Sequence, residues 1–195
     1  IGRQSLIRAI DSVCAQVGGM LNEIVVCFDN ADNTVIPDQD HIKNGVLIRV
    51  VHNCGPKGVA SALNCAIAES TSTLIAWLSD DDYFSTPIRL LRTVNMINRQ
   101  DLHAYQDEML VFGDFLILGE GLPVSRDGNI ARLNPYLNHV GGHVDIITSH
   151  YEYGQRCISK GLINGCTAIF SKALWSTVGG FKVNKRLQTV QDTVF

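Results

Sequence analysis

A layered α/β fold is predicted by two features of this sequence. Short apolar runs of strand length, Glu23–Phe28 (EIVVCF), Val46–Val51 and Leu74–Leu78, alternate with segments whose apolar residues recur at helical spacing. The order reads helix, strand, strand, helix, strand, helix, strand, which places helices on both faces of one mostly parallel sheet. Polar residues also follow directly on two of these runs: Asp29-Asn30 after the first, and Ser79-Asp80-Asp81-Asp82 after the third. In open α/β sheets ligands bind at the carboxyl ends of strands. With 195 residues and 46% hydrophobic content, the whole of 1–195 suits a single domain with a real core.

The elements follow in order. Ser5 to Val17 predicts a helix, with Leu6, Ile10, Val13 and Val17 on one face, Ser5 as its cap and Gly18-Gly19 as its stop. After the strand at Glu23–Phe28, residues from Ala31 to Gly45 are polar, contain Pro37 and read as a loop. The third run of turn residues, His52 to Gly58, leads into a helix over Val59–Glu69 whose alanines allow close packing on a sheet. Leu74–Leu78 is too short for a helix and reads as a buried strand. A helix from Pro87 to Asn98 follows, then a strand over Met109–Leu118. Residues 119–161 are irregular, with two prolines; His139, His143 and His150 make no i, i+4 metal pair in a convincing helix and read as surface or structural residues rather than ligands. Asn164–Phe170 predicts a strand, and Ser171–Val178 a short capped helix before Gly179-Gly180-Phe181.

Composition removes several classes. A net charge of −3 with no basic run gives no polyanion-binding signature, so no nucleic-acid partner is expected. No stretch reaches the ~18 apolar residues that a membrane-spanning helix needs. The six cysteines show no C-x-x-C pair, so they read as buried thiols in a reducing, cytoplasmic setting rather than as a zinc cluster. The Asp run carries the chemistry. Three adjacent carboxylates repel one another unless a cation sits among them. Mg²⁺ is held by one or two carboxylates with substrate phosphates and waters completing the shell. The run therefore reads as a metal–diphosphate site, or alternatively as a solvated turn with Asp80 capping the next helix.

Four pieces in order resemble a family 2 glycosyltransferase domain of the GT-A (Rossmann-like) fold: the strand ending at Asp29-Asn30; Asn53-Cys54-Gly55-Pro56-Lys57-Gly58 with Asn64; Ile75 to Asp82; and Val178-Gly179-Gly180-Phe181 followed by Gln191-Asp192. Ser79 and Gln191 depart from the family's usual Asp and Glu. The resemblance implies sugar transfer from a nucleotide-diphosphate donor to a hydroxyl acceptor, either a glycan, a lipid-linked acceptor or a polysaccharide. It implies that Asp82 holds a divalent metal (Mg²⁺ or Mn²⁺), with Asp80 and Asp81 meeting ribose or metal waters. Asp29 would accept from the nucleotide base, and Asp192 would act as general base in an inverting displacement. Lys57 reads as a phosphate contact or as a solvated loop lysine. The setting implied is the cytoplasm or the inner face of the membrane. The alternative is a non-catalytic module of the same fold that binds a nucleotide or a partner.

The resembled fold opens with a strand that has no counterpart here, where Ile1 leads straight into a helix. Both ends of the chain are expected to be cut. That strand would lie between Glu23–Phe28 and Leu74–Leu78, so those two runs are expected not to pair with each other. Unpaired buried backbone groups cost about 1–3 kcal/mol each, so the 195 residues alone are expected to be poorly stable and to bind donor poorly.

Overall fold

The computed structural model describes residues 3–29, 36–37, 39–99, 110–112, 118–119, 122–123, 145–147 and 165–183. It opens with helix α1 (Arg3–Cys14), which buries Ala9 and Ile10. The apolar spacing continues to Val17, but the helix stops three residues earlier. The Val17 amide donates to Pro87 O at 2.8 Å instead, and Gly18 and Gly19 follow with φ of 100° and 64°. Strand β1 (Glu23–Phe28) pairs in parallel with β3 (Val46–His52), Glu23 opposite Leu47 and Phe28 opposite His52.

Part of the polar stretch read as a loop forms a strand, β2 (His41–Lys43). It pairs antiparallel with β3 around Asn44-Gly45, whose φ values of 51° and 80° are the left-handed pair that a tight hairpin turn needs. Helix α2 (Val59–Glu69) has the predicted bounds and packs on β1 and β3. Strand β4 (Leu74–Ala76) is shorter than expected, and helix α3 begins at Arg89, not Pro87, and ends at Arg99.

The expected strand over Met109–Leu118 is β5 (Leu110–Phe112), with Leu118-Gly119 forming β6 against β7 (Leu122-Pro123). A further strand, β8 (Asp145–Ile147), falls within the stretch read as irregular. The strand expected over Asn164–Phe170 is instead a 3-10 turn, Gly165–Thr167, followed by β9 (Ile169–Ser171). Helix α4 (Lys172–Thr177) is capped by Ser171, whose Oγ accepts from the Leu174 amide at 3.0 Å.

The strands lie in a sheet of order β1-β3-β2, a sheet of order β4-β9-β5-β8 and the small β6–β7 pair. A mostly parallel sheet is not what the described pairings show: β1–β3 alone is parallel and the other five are antiparallel. The reason is that β9 returns from far along the chain and inserts between β4 and β5, a pairing that periodicity does not reveal. The expected break is present. Among the described residues β1 and β4 share no ladder, and each is the edge of its own sheet.

Helix α2 bridges the break. Its Ala60 and Ile67 pack into one core with Ile75 of β4, Ala168 and Phe170 at β9, Leu174 of α4 and Phe181. The cysteines are less buried than expected: Cys14, Cys27, Cys65 and Cys166 are half-buried thiols and Cys54 is exposed. His139, His143, His150, Cys157, Gln191 and Asp192 lie outside the described residues.

Candidate active site

The strands set out from a common knot. Glu23, first residue of β1, accepts at Oε1 from the Thr71 amide (2.6 Å), Thr71 Oγ1 (2.9 Å) and Ser70 Oγ (2.9 Å), all just upstream of β4. The carbonyls at the C-terminus of α2 end here too, where their partial negative charge favours cations. Lys172 Nζ donates to Ala68 O and Ser70 O at 3.0 and 2.5 Å, and Arg49 to Glu69 O at 2.5 Å. Both β1 and β4 run away from this knot, so Asp29 and the Asp80–Asp82 run belong to the opposite end.

At that end Asp29 is built into the loop before α2. Its Oδ1 accepts from Asn53 Nδ2 at 2.7 Å and its Oδ2 from the Gly58 amide at 2.8 Å. Asn53 is only 4% exposed and organises the loop: it donates to Pro56 O and accepts from the Gly55 amide and Ser61 Oγ. Gly55 is required, because a Cβ there would lie 2.5 Å from Ser61 Oγ. Gly58 has φ 144° and offers no side chain to cap α2, so the Asp29 carboxylate supplies the negative charge that a helix N-terminus favours. A carboxylate has about four acceptor sites, so Asp29 keeps capacity for a ligand. Lys57 is exposed on the same loop.

Beyond β4, the Asp82 amide closes a turn onto Ser79 O at 3.2 Å. Asp80 and Asp81 are exposed and Asp82 is half-buried. Burial, and next the charge of Asp81, push the Asp80 carboxyl above its ordinary range. Asp80 does not cap a helix, since α3 starts only at Arg89. Helix α1 braces the segment instead. Arg8 donates to Asp81 O at 3.3 Å and lies 4.6 Å over the Tyr83 ring; Ser12 Oγ accepts from the Phe84 amide; Gln16 bridges Thr86 O and the Leu90 amide. The guanidinium therefore meets a carbonyl and a ring, and among the described residues no ion pair neutralises the three carboxylates.

Two supports come from far along the chain. The Cys166 thiol accepts from the Ser79 amide at 3.3 Å; burial, then the nearby Asp82 carboxylate, push the thiol up to about 12. Asn64 of α2 holds the Gly179–Phe181 turn, accepting from the Phe181 amide and Trp175 Nε1 and donating to Phe181 O. Sequence reasoning placed Asn53 and Asn64 in a motif without a role and gave Cys166 none. The signal for Asn53 and Asn64 was a polar residue flanked by turn formers or set on a small-residue helix.

Of the six site residues expected, Asp29 and Lys57 share one loop, and Asp80, Asp81 and Asp82 share another. Asp192 lies outside the described residues. Among the described residues no three His, Cys, Asp or Glu side chains are grouped to hold a metal by themselves.

The fold is α/β, with acidic residues directly after β1 and close after β4. A family model described as glycosyl transferase family 2 matches residues 3–117, more than half of the chain, and the chain belongs to that family. Membership carries glycosyltransferase activity, the GT-A α/β fold, a nucleotide-sugar donor and a glycan acceptor. The match covers Asp29, Lys57 and Asp80–Asp82; the segment with Gly179-Gly180-Phe181 and Asp192 lies beyond it, so it is narrower than the resemblance drawn from the sequence. No curated protein matches the chain. No described helix is long and apolar enough to cross a membrane.

Proposed function

We propose that this protein transfers a sugar from a nucleoside-diphosphate donor to a hydroxyl of a glycan, lipid-linked or polysaccharide acceptor, with inversion at the anomeric carbon and with a divalent metal. The observation that carries the reading is the run of three carboxylates after β4, with Asp80 pushed toward its neutral form by burial and by Asp81. Such a site gains from a cation. The donor set is all hard oxygen, which suits Mg²⁺ or Mn²⁺, and one or two protein carboxylates are enough when diphosphate and waters fill the remaining positions. Asp82 would hold the ion, with Asp80 or Asp81 beside it on waters or ribose. The bound ion would supply Lewis-acid stabilisation of the departing diphosphate.

Asp29 would accept a hydrogen bond from the nucleobase while it keeps the loop at Asn53–Gly58 in place, and Lys57 at that loop would reach a phosphate. Asp192 would take the proton from the acceptor hydroxyl as that oxygen attacks. One positioned carboxylate suffices for an inverting displacement. The reaction belongs to the cytoplasm or the inner face of the membrane, and the free thiols among the described residues fit a reducing setting.

Melting with uridine, guanosine and thymidine diphosphates, with Mn²⁺ and with EDTA, tests the metal. A ligand at 100 times its Kd stabilises by about 2.7 kcal/mol. One diphosphate should raise Tm with Mn²⁺ and much less with EDTA, and Asp82→Ala should abolish the difference. Equal shifts in Mn²⁺ and EDTA would sink the proposal. Donor binding without turnover in the full chain would favour the non-catalytic alternative.

A further inference from the structure

Asn64 lies within the residues that match the family and Phe181 beyond them, yet Asn64 treats Phe181 as a neighbouring strand would. Its Nδ2 donates to Phe181 O and its Oδ1 accepts from the Phe181 amide, both at 2.9 Å, so one side-chain amide satisfies both backbone groups of a single residue. The same Oδ1 also accepts from Trp175 Nε1 of α4 at 3.0 Å. Aspartate would keep the acceptor and lose the donor. The seat also dictates residue 180. Gly180 has φ 73°, and a Cβ there would lie 2.8 Å from Asn64 Oδ1. Gly179 and Gly180, both with positive φ, form a turn with little stiffness of its own. Its position is set by what holds it: Asn64, and Trp175 O, which accepts from the Gly180 amide at 2.8 Å. Phe181 is 4% exposed in the core, and the chain leaves the core past it, with Lys182 and Val183 exposed. The same helix is locked at its start. Asp29 accepts from the Gly58 amide, and Ser61 in the first turn of α2 donates to Asn53. Asn64 follows Gly58 by six residues, which is about 9 Å along a helix axis. One helix thus fixes the spacing between the loop assigned to the nucleotide and the turn that precedes Asp192 in the chain.

We propose that Asn64 is a positioning residue for sugar transfer: its side-chain amide sets the Gly179–Phe181 turn, and the chain that continues from it to Asp192, in register with the donor loop at the start of α2. The proposal rests on the reading of Asp192 as general base and is independent of the metal. Reacting groups must be held in near-attack geometry, and about 1 Å of misplacement by a residue remote from the chemistry costs up to ~100-fold in rate.

The test is release of nucleoside diphosphate by the full chain from uridine-, guanosine- and thymidine-diphosphate hexoses, with water and a mixed oligosaccharide pool as acceptors. Asn64→Asp should lower kcat by about 100-fold, with the donor KM and the Kd for nucleoside diphosphate unchanged. Gly180→Ala pushes on the same seat from the turn and should do the same; it carries the test alone if Asn64→Asp melts below the assay temperature. Trp175→Phe leaves both bonds to Phe181 in place, so it should lower Tm and keep kcat. Residues that act through one another give losses that do not multiply, so Asn64→Asp should cost little further in an Asp192→Asn background. Wild-type kcat in Asn64→Asp and Gly180→Ala, an equal kcat loss in Trp175→Phe, or multiplied losses in the double variant would overturn the proposal. If Asp192→Asn alone keeps wild-type kcat, the general-base reading falls by itself, and the split between kcat and donor KM in Asn64→Asp decides whether the turn is positioned for transfer. No turnover by wild type would overturn both.

Discussion

Glu23 and Asp80 are carboxylates at opposite ends of the strands, and their surroundings differ in kind. The Glu23 side chain is only 5% exposed, so burial alone would raise its pKa. The Thr71 amide, the Thr71 and Ser70 hydroxyls and the Arg49 guanidinium 3.6 Å away outweigh that and hold it below its ordinary range. Asp80 is more exposed, but its nearest influences are burial and further carboxylates, and it is pushed the other way. Donors that converge on one carboxylate tie β1, α2 and β4 together where no ladder joins the two sheets. At Asp80 burial and the charge of Asp81 act in the same direction and raise the carboxyl. One end stabilises the fold, and the other holds a carboxylate that its surroundings push up.

A change at the acidic end should reduce turnover and leave the fold intact. Asp192, assigned to that end by resemblance, carries the largest expected effect. Asp192→Asn should keep donor affinity and Tm and lower kcat by at least the ~10²-fold that loss of a general base produces. Steady-state kinetics on the full chain with the best-binding donor checks this. Wild-type kcat would overturn the assignment of Asp192 as general base.

Glu23→Ala probes the opposite end and should show the opposite pattern. It strips the acceptor from Ser70 and Thr71 and the partner from Arg49. Donors left without a partner cost about 1–3 kcal/mol. Thr71 is exposed and water can partly replace Glu23 there, so a loss of about 2 kcal/mol is expected, or roughly 4–8 °C in Tm for a chain of this size. The Kd for nucleoside diphosphate should not change. A Tm within a degree of wild type would mean the two sheets are held together by the α2 core alone.

The sequence showed the acidic end better than the knot. The Asp run, Asp29 and the bounds of α2 are local patterns: an apolar run that stops, a small-residue helix between glycine and polar residues. The Ser171 cap of α4 is local as well. What was not legible depends on residues distant in the chain. Glu23 finds Thr71, Ser79 finds Cys166 and β4 finds β9 only after folding. Gly165, where the 3-10 turn starts, packs so closely on the Trp77 ring that a Cβ would not fit, a contact that periodicity does not reveal. The hairpin at Asn44-Gly45 is different, because its turn signal stands in the sequence and the surrounding polar residues masked it.

The smallest expected effect is the response of the two ends to pH. Asp80 has a folded pKa above that of the unfolded chain. Between the two values the folded state holds more protons, so its contribution to stability falls as pH rises, and the penalty is complete above the folded pKa. Glu23 has a folded pKa below its unfolded value. Its contribution is complete above the unfolded pKa and is lost as pH falls through the folded one. Asp80→Asn should therefore melt slightly higher than wild type at neutral pH, by about 1–2 °C given its exposure. The gain should shrink as pH falls through the folded pKa of Asp80, and Mn²⁺ with a nucleoside diphosphate should erase it by stabilising wild type. Glu23→Gln should do the reverse, melting lower at neutral pH and converging with wild type in acid. Melting curves from neutral to acidic pH separate the two. A lower Tm for Asp80→Asn at neutral pH would show that the acidic end is not strained at all, and that its carboxylates are satisfied within the fold as Glu23 is.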